Sequence, residues 1–238
     1  MIDEQIETMF TELGATFVAP FGAFKARLAR IRAFLFDWDG VFNAGLKTAS
    51  RGSSFSEPDA MGTNLMRLGF WLNNGQQLPV VGIITGAQNP TALQLAQREH
   101  YQAVYMGVKY KPEALEHLCR QWGLKPEEVA YTFDDVNDLE MAARCGLRLL
   151  VRRTASPFML KYALDKQLVD YHSAHRGGEG AVREICELIM ACWGVFEDVA
   201  ALRSAYDPAY QAYLSQRNQH STGHFSWSAK GITSMQTD

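Results

Sequence analysis

Asp37 and Asp39 stand one residue apart in FLFDWDGVF (34–42), directly after an apolar run. A second acidic group, Asp134, Asp135 and Asp138 in FDDVNDLEM (133–141), follows another apolar run. Carboxylates gathered this closely repel one another and hold their protons more tightly unless a cation neutralises them. Hard oxygen donors with no Cys/His set beside them suit Mg2+ better than Zn2+. Any one of these acids could be a helix cap or a turn residue. Two clusters, each at the end of a buried run, are better explained by one shared cation.

The elements that must hold these acids can be read from periodicity. IRAFLF (31–36), PVVGIIT (79–85), AVYM (103–106), VAYTF (129–133), LRLLV (147–151) and LVDY (168–171) read as strands. Helical spacing fits 2–13, 90–98, 112–122, 138–145, 157–166 and 181–193, and FSEPDAMG (55–62) reads as a loop entering a helix over TNLMRLGFWL (63–72). Alternating strands and helices with apolar strands imply an α/β fold, a doubly wound parallel sheet covered on both faces. In such sheets ligands bind beyond the carboxyl ends of the strands where strand order reverses. If the strands at 31–36 and 129–133 are neighbours, both acidic clusters share one rim. From about Tyr206 the chain becomes rich in Gln, Ser, Tyr and His, which reads as a short helix and then an irregular arm. Phe225 and Trp227 make that arm too apolar for a solvated linker, so it is expected to dock on something.

Of the 238 residues, 47% are hydrophobic and 21% charged, enough for one large domain with a real core. The segments are read as an N-terminal helical extension (1–30), a main domain (31–195) and a C-terminal helix and arm (196–238). A net charge of −3 gives no electrostatic case for nucleic acid or an anionic membrane surface. No apolar run approaches a membrane span, and the acidic start lacks the features of a signal peptide. Cys119, Cys145, Cys186 and Cys192 form no C-x-x-C pair and read as reduced, packed thiols of a cytoplasmic protein.

Two further features fit the rim. Thr85-Gly86 offers a hydroxyl and an open backbone after its strand. Lys111 places an ammonium at the positive amino end of a helix, where both favour an anion. Either alone has a bland reading, a turn or a solvated lysine. No G-x-G-x-x-G follows the first strand, which argues against a dinucleotide site.

DWDGV, IITG, Lys111 ahead of a helix and FDDVNDLEM, in this order, resemble the four signatures of the haloacid dehalogenase superfamily of phosphotransferases. FSEPDAMG and HRGGEGAVREICELI (175–189) are similar to segments of its small, capless branch of sugar-acid phosphatases. The resemblance covers about residues 31–192. It implies a Rossmann-like sheet without a large cap and a Mg2+-dependent phosphomonoester hydrolase for a small phosphorylated metabolite. It further implies Asp37 as nucleophile, Asp39 as general acid and base, and Lys111 as the cation that screens the reacting charges. Mg2+ would be held by Asp37, the main-chain carbonyl of Asp39, and Asp134, with Asp135 and Asp138 behind them. Thr85 and Gly86 would hold the transferring group, and Arg183 could reach a substrate anion or sit in a surface ion pair.

The chain departs from that branch at Asn43-Ala44-Gly45, at Pro58 and Ala87 where arginines are usual, and at Phe133 where glycine is usual. Loss of two guanidiniums removes bidentate anion recognition, so substrate choice is expected to differ. Capless relatives cover their sites by assembling, which leads to the expectation of a homotetramer, with a hairpin over Val41–Phe55 covering a neighbour's site. The competing reading is a catalytically retired paralogue that serves as a binding or assembly protein.

Overall fold

The computed structural model describes residues 2–47, 52–229 and 231–235. Among them one nine-stranded sheet runs in the order β1-β7-β6-β5-β2-β3-β4-β8-β9. The strands are β1 (Thr16–Phe17), β2 (Ala33–Asp37), β3 (Val80–Ile84), β4 (Ala103–Met106), β5 (Val129–Phe133), β6 (Leu147–Arg152), β7 (Tyr171–Arg176), β8 (Gly223–Ser228) and β9 (Gly231–Ser234). From β7 through β8 all neighbours are parallel, and only β1 and β9 at the two edges are antiparallel. The chain winds outward from β2 through β3 and β4, then returns to the far side of β2 as β5, β6 and β7. This makes the carboxyl ends of β2 and β5 the point where strand order reverses.

Period-2 alternation explains the two cores. Phe34 and Phe36 of β2 join a cluster with helices α1 (Asp3–Leu13), α2 (Phe21–Leu28), α3 (Glu57–Asn73), α4 (Pro90–Arg98) and α8 (Ala181–Trp193). Ala33 and Leu35 face the opposite cluster, with α5 (Lys111–Trp122), α6 (Leu139–Ala142) and α7 (Pro157–Asp165). Each fully buried Phe contributes about 2 kcal/mol of hydrophobic free energy. Phe133, at the position where glycine is usual, points into the α5–α6 core and stacks on Tyr131 at 5.6 Å between ring centroids. It therefore leaves the rim clear.

Four expectations need correction. The strand over 168–171 runs Tyr171–Arg176 instead, its polar YHSAHR composition having hidden it. Asp170 just before it is buried, because it pairs with Arg27 and Arg148. Helix α3 begins at Glu57, earlier than 63, because Ser56 caps it by accepting from the Asp59 N–H (3.3 Å). The helix over 138–145 is a 3-10 turn (Val136–Asp138) followed by the short α6. The arm after α10 (Pro208–Arg217) is not irregular: β8 and β9 form a hairpin that extends the sheet beside β4. There Phe225 stacks on Tyr105, and Trp227 Nε1 donates to Glu113 Oε2 at 2.7 Å. Helix α9 (Phe196–Ser204) joins α3 and α10 in a third apolar cluster. No helix among the described residues is long and apolar enough to cross a membrane. The expected hairpin over Val41–Phe55 includes residues 48–51, which lie outside the described residues.

Candidate active site

β2 and β5 pair from Ala33↔Val129 to Phe36↔Thr132, so Asp37 and Asp134 emerge side by side at the carboxyl ends. Carboxylate oxygens of Asp37, Asp134 and Asp138 all lie within 4.8 Å of one another, and all three residues are buried. Lys111, the first residue of α5, donates from Nζ to Asp37 Oδ1 at 2.7 Å and to Asp138 Oδ1. The Tyr131 hydroxyl also donates to Asp138 Oδ1 and accepts from Lys111 at 3.3 Å. Asp134 Oδ2 accepts from Arg153, the residue just past β6. Gly40, at φ +92°, is what permits this: a Cβ there would lie 2.0 Å from Asp134 Oδ2.

Three buried carboxylates against two cations leave an uncompensated negative charge. Burial pushes the Asp37 carboxyl well above its usual range; Lys111 pulls against this, while Asp138 and Asp134 add to it. Burial raises Asp134 to about 6 despite the hydrogen bond from Arg153, with Asp138 adding its repulsion. Burial works against the charge on Lys111, yet Asp37 and Asp138 outweigh it and keep the ammonium protonated. Asp134 Oδ1 is buried and has no hydrogen-bond partner among the described residues. An orphaned oxygen facing a surplus of negative charge is what a divalent cation would satisfy, and an all-oxygen set fits Mg2+.

Asp39 is built differently. Its Oδ1 accepts from Ser53 Oγ (2.6 Å), which in turn accepts from Trp38 Nε1 (2.8 Å). Its Oδ2 accepts from Asn89 Nδ2 (3.0 Å) and pairs with Lys47 (2.6 Å). The Asp39 side chain is thus directed away from the other three acids, towards β3. The same Asn89 amide donates to Thr85 Oγ1 at 2.7 Å, so one side chain sets both the Asp39 carboxylate and the Thr85 hydroxyl. Gly86 borders the cleft directly. Asp135 also borders it, and its Oδ1 accepts from the Val136 N–H. The cleft holds about 430 Å³ and brings together Asp37, Asp39, Gly86, Lys111, Asp134, Asp135 and Asp138.

Arg183 lies outside this lining. Its Nε donates to Glu187 at 2.5 Å, and its backbone N–H is fixed by Asp59 at 2.9 Å. The glycine loop before it does reach the site: a Cβ on Gly177 would lie 2.0 Å from the Gly40 carbonyl oxygen, so the loop backs the first acidic turn. Sequence reading missed Arg153, Asn89, Tyr131, Lys47 and Lys109, all in or beside the cleft. Arg153 follows β6, the neighbour of β5, whose end leads into Asp134.

No family model matches the chain. The 3-deoxy-D-manno-octulosonate 8-phosphate phosphatase of Yersinia pestis is 31% identical over 177 residues, covering 74% of this chain and 88% of that protein. A solved haloacid dehalogenase superfamily (subfamily III A) hydrolase from Legionella pneumophila shares 30% identity at a TM-score of 0.62, covering 76% of this chain and 93% of its own. The cobalt-bound form of the deoxy-D-mannose-octulosonate 8-phosphate phosphatase from Haemophilus influenzae shares 26% identity at a TM-score of 0.58, covering 71% of this chain and 93% of its own. Relatives named as phosphatases and hydrolases lend no support to a retired binding protein. With a Rossmann-like sheet, no large cap among the described residues, and the acidic rim in place, the chain belongs to the haloacid dehalogenase superfamily of phosphatases, in the branch that includes 3-deoxy-D-manno-octulosonate 8-phosphate phosphatase.

Proposed function

We propose that the chain is a Mg2+-dependent phosphomonoester hydrolase that acts through an aspartyl-phosphate on Asp37, on a small phosphorylated metabolite such as a sugar or sugar-acid phosphate. The observation that carries this reading is the convergence of Asp37, Asp134 and Asp138 around Lys111 with one buried oxygen of Asp134 unpartnered. Asp37, Asp134 and the Asp39 main chain would hold the ion, with Asp138 behind them. When bound, Mg2+ would screen the charge between two anions that must meet and polarise the phosphoryl oxygens.

The remaining work falls to the protein. Lys111 holds one oxygen of Asp37 and neutralises an incoming phosphate. An Asp37 carboxylate oxygen attacks phosphorus, and the bond to the leaving alkoxide breaks. The Asp39 carboxyl gives that oxygen its proton, so a neutral alcohol departs. The resulting Asp39 carboxylate then takes a proton from water, whose oxygen attacks the aspartyl-phosphate. Inorganic phosphate leaves, and Asp37 is restored. Thr85 and the Gly86 backbone support the transferring group, held in register by Asn89. We further propose a homotetramer in the cytoplasm. An open rim needs cover to exclude water, and the exposed Leu46, Tyr110 and Val136 on the loops after β2, β4 and β5 suit a subunit contact. Light scattering that returns a monomer at micromolar concentration would overturn the assembly.

The activity is tested by phosphate release from a panel of sugar phosphates, with Mg2+ or with EDTA. Turnover that EDTA abolishes supports the proposal. No release from any ester in the presence of metal would contradict it.

A further inference from the structure

Asn89 stands at the amino cap of α4, where an asparagine side chain ordinarily accepts a hydrogen bond from the first turn of its helix. Here it makes no such bond. The side chain is 1% exposed and turns to the cleft residues instead, where Nδ2 donates one hydrogen to Asp39 Oδ2 (3.0 Å) and the other to Thr85 Oγ1 (2.7 Å). The amide cannot be flipped, because its oxygen would then face the Asp39 carboxylate, acceptor against acceptor. Its Oδ1 is left buried with no partner among the described residues. A buried acceptor without a donor costs stability. Asn89 thus forgoes a helix cap and strands an oxygen, and what it gains is two contacts with groups of the reaction site. Capping and packing explain neither loss.

What the amide does to Asp39 follows from its acceptor sites. A carboxylate has two oxygens with two sites each. Both sites of Oδ2 are taken, by Asn89 and by Lys47 (2.6 Å). Oδ1 accepts from Ser53 alone, whose hydroxyl proton is committed to it because Ser53 Oγ itself accepts from the buried Trp38. Oδ1 therefore keeps one open site, and the proton of a neutral Asp39 sits there. Thr85 is set in the same way: Oγ1 accepts from Asn89 and from the Ala87 N–H (3.4 Å), which leaves its own proton for the transferring phosphoryl group.

We propose that Asn89 is a positioning residue for protonation of the leaving group: by filling Oδ2 it keeps the transferable proton of Asp39 on Oδ1, so that esters of weakly acidic alcohols depend on it and esters of acidic phenols do not. The role rests on the phosphatase reading above and adds a residue to its acid step. In that step the bond from phosphorus to the leaving oxygen breaks, its electron pair stays on that oxygen, the Oδ1 proton joins it, and Asp39 is left as a carboxylate. Without Asn89 an acceptor site opens on Oδ2, the proton is shared between the two oxygens, and the carboxyl loses one of its three anchors.

Two esters built on the same ring separate the acid step from everything else. p-Nitrophenolate leaves as a stable anion and needs no proton, whereas the phenolate of phenyl phosphate is far more basic and does. The test compares kcat/KM for the two with Mg2+ present, a quantity that ends at transfer of the phosphoryl group to Asp37. In N89S and N89L, loss of the bond to Thr85 lowers both esters alike, and loss of the bond to Asp39 falls on phenyl phosphate. The ratio of p-nitrophenyl to phenyl phosphate is expected to rise about tenfold or more over wild type, a part of the ~10²–10⁴-fold that a positioned acid supplies. D39N should raise it at least as far, and adding N89S to D39N should raise it no further, as a residue that acts through Asp39 requires. Both esters are assayed on one preparation, so the folded fraction cancels from the ratio and a merely structural role would not move it. An unchanged ratio in both Asn89 variants, with turnover intact, would overturn the positioning role alone. Absence of wild-type turnover for both aryl esters and for the sugar-phosphate panel would overturn the phosphatase reading and the role of Asn89 with it.

Discussion

Charge is buried in two places in this protein, and the two are built on opposite plans. At the carboxyl ends of β2 and β5, Asp37, Asp134 and Asp138 outnumber Lys111 and Arg153 and open onto a cleft. Between α3, the end of α4 and α10, Glu99 is surrounded instead by cations and donors. Its Oε2 accepts from Arg217 (2.9 Å) and Asn64 (3.0 Å), its Oε1 from Arg98 (3.2 Å). Arg67, fully buried nearby, donates to the carbonyl oxygens of Glu99 and His100. Both places leave polar atoms unpartnered, Asp134 Oδ1 in the first, Arg67 Nε and Asn64 Oδ1 in the second. Buried charge and orphaned atoms therefore do not by themselves mark a working site. A surplus of one sign beside an open cleft does, because only there can a mobile ion and a substrate complete the balance.

The contrast can be broken most sharply at Asp37. Asp37→Asn should lower kcat at least about a thousandfold while the protein stays folded, since an amide cannot accept the phosphoryl group. Stopped phosphate-release assays would read this directly, and a loss under tenfold would remove Asp37 from the chemistry. The opposite behaviour is expected of the second cluster. Glu99→Gln leaves the buried Arg217 without its carboxylate and should cost about 3 kcal/mol in urea unfolding, with kcat per folded molecule unchanged. A drop in kcat at full fold would mean the two regions are coupled.

Gly40→Ala tests the tight approach of the first turn to the acids. The new Cβ would meet Asp134 Oδ2 at 2.0 Å, on a backbone already at φ +92°. Roughly 2–3 kcal/mol of stability should be lost, together with Mg2+ affinity measured by calorimetry. The smallest effect concerns pH. Asp134 is raised to about 6 from an ordinary 3.8, so the folded state binds its proton more tightly than the unfolded one. The stabilisation this gives is complete below about pH 4 and is lost as pH rises through about 6. In EDTA, wild-type stability should fall by about 2 kcal/mol across that window relative to Asp134→Asn, and Mg2+ at pH 7 should restore it. A flat difference between the two proteins would place Asp134 in an unstrained environment.

How far the sequence reveals this site depends on how local each signal is. Asp37, Asp134 and Lys111 were legible because each follows or begins an element with a clean pattern: apolar strands before the acids, Pro112 opening a helix after the lysine. Pairing of β2 with β5 then brought them together as the crossover logic of parallel sheets requires. Arg153 was hidden because two arginines after a strand look solvated, and only the β5–β6 pairing puts one of them against Asp134. Asn89 sits at the cap of α4, where an asparagine has a local explanation that conceals its bonds to Asp39 and Thr85. The β8–β9 hairpin was missed although Phe225 and Trp227 alternate with polar residues, because Gln, Ser and His dominate the surrounding stretch. YHSAHR escaped for the same reason: its polar side chains find partners inside the fold, such as the buried Glu184 carboxylate, which accepts from the Tyr171 hydroxyl at 2.6 Å and lies 2.7 Å from His175 Nδ1.

The most direct test follows the phosphoryl group itself. Enzyme with Mg2+ and a substrate found by the sugar-phosphate screen would be mixed, quenched in acid within milliseconds, digested and mapped by mass spectrometry. The expected result is a phosphoryl group on the peptide that contains Asp37, absent in Asp37→Asn and lost on standing at neutral pH. Rapid turnover with no label on Asp37 in a quench series that spans the first turnover would contradict the central claim that this acid, held by Lys111 on the rim of β2 and β5, takes the phosphoryl group.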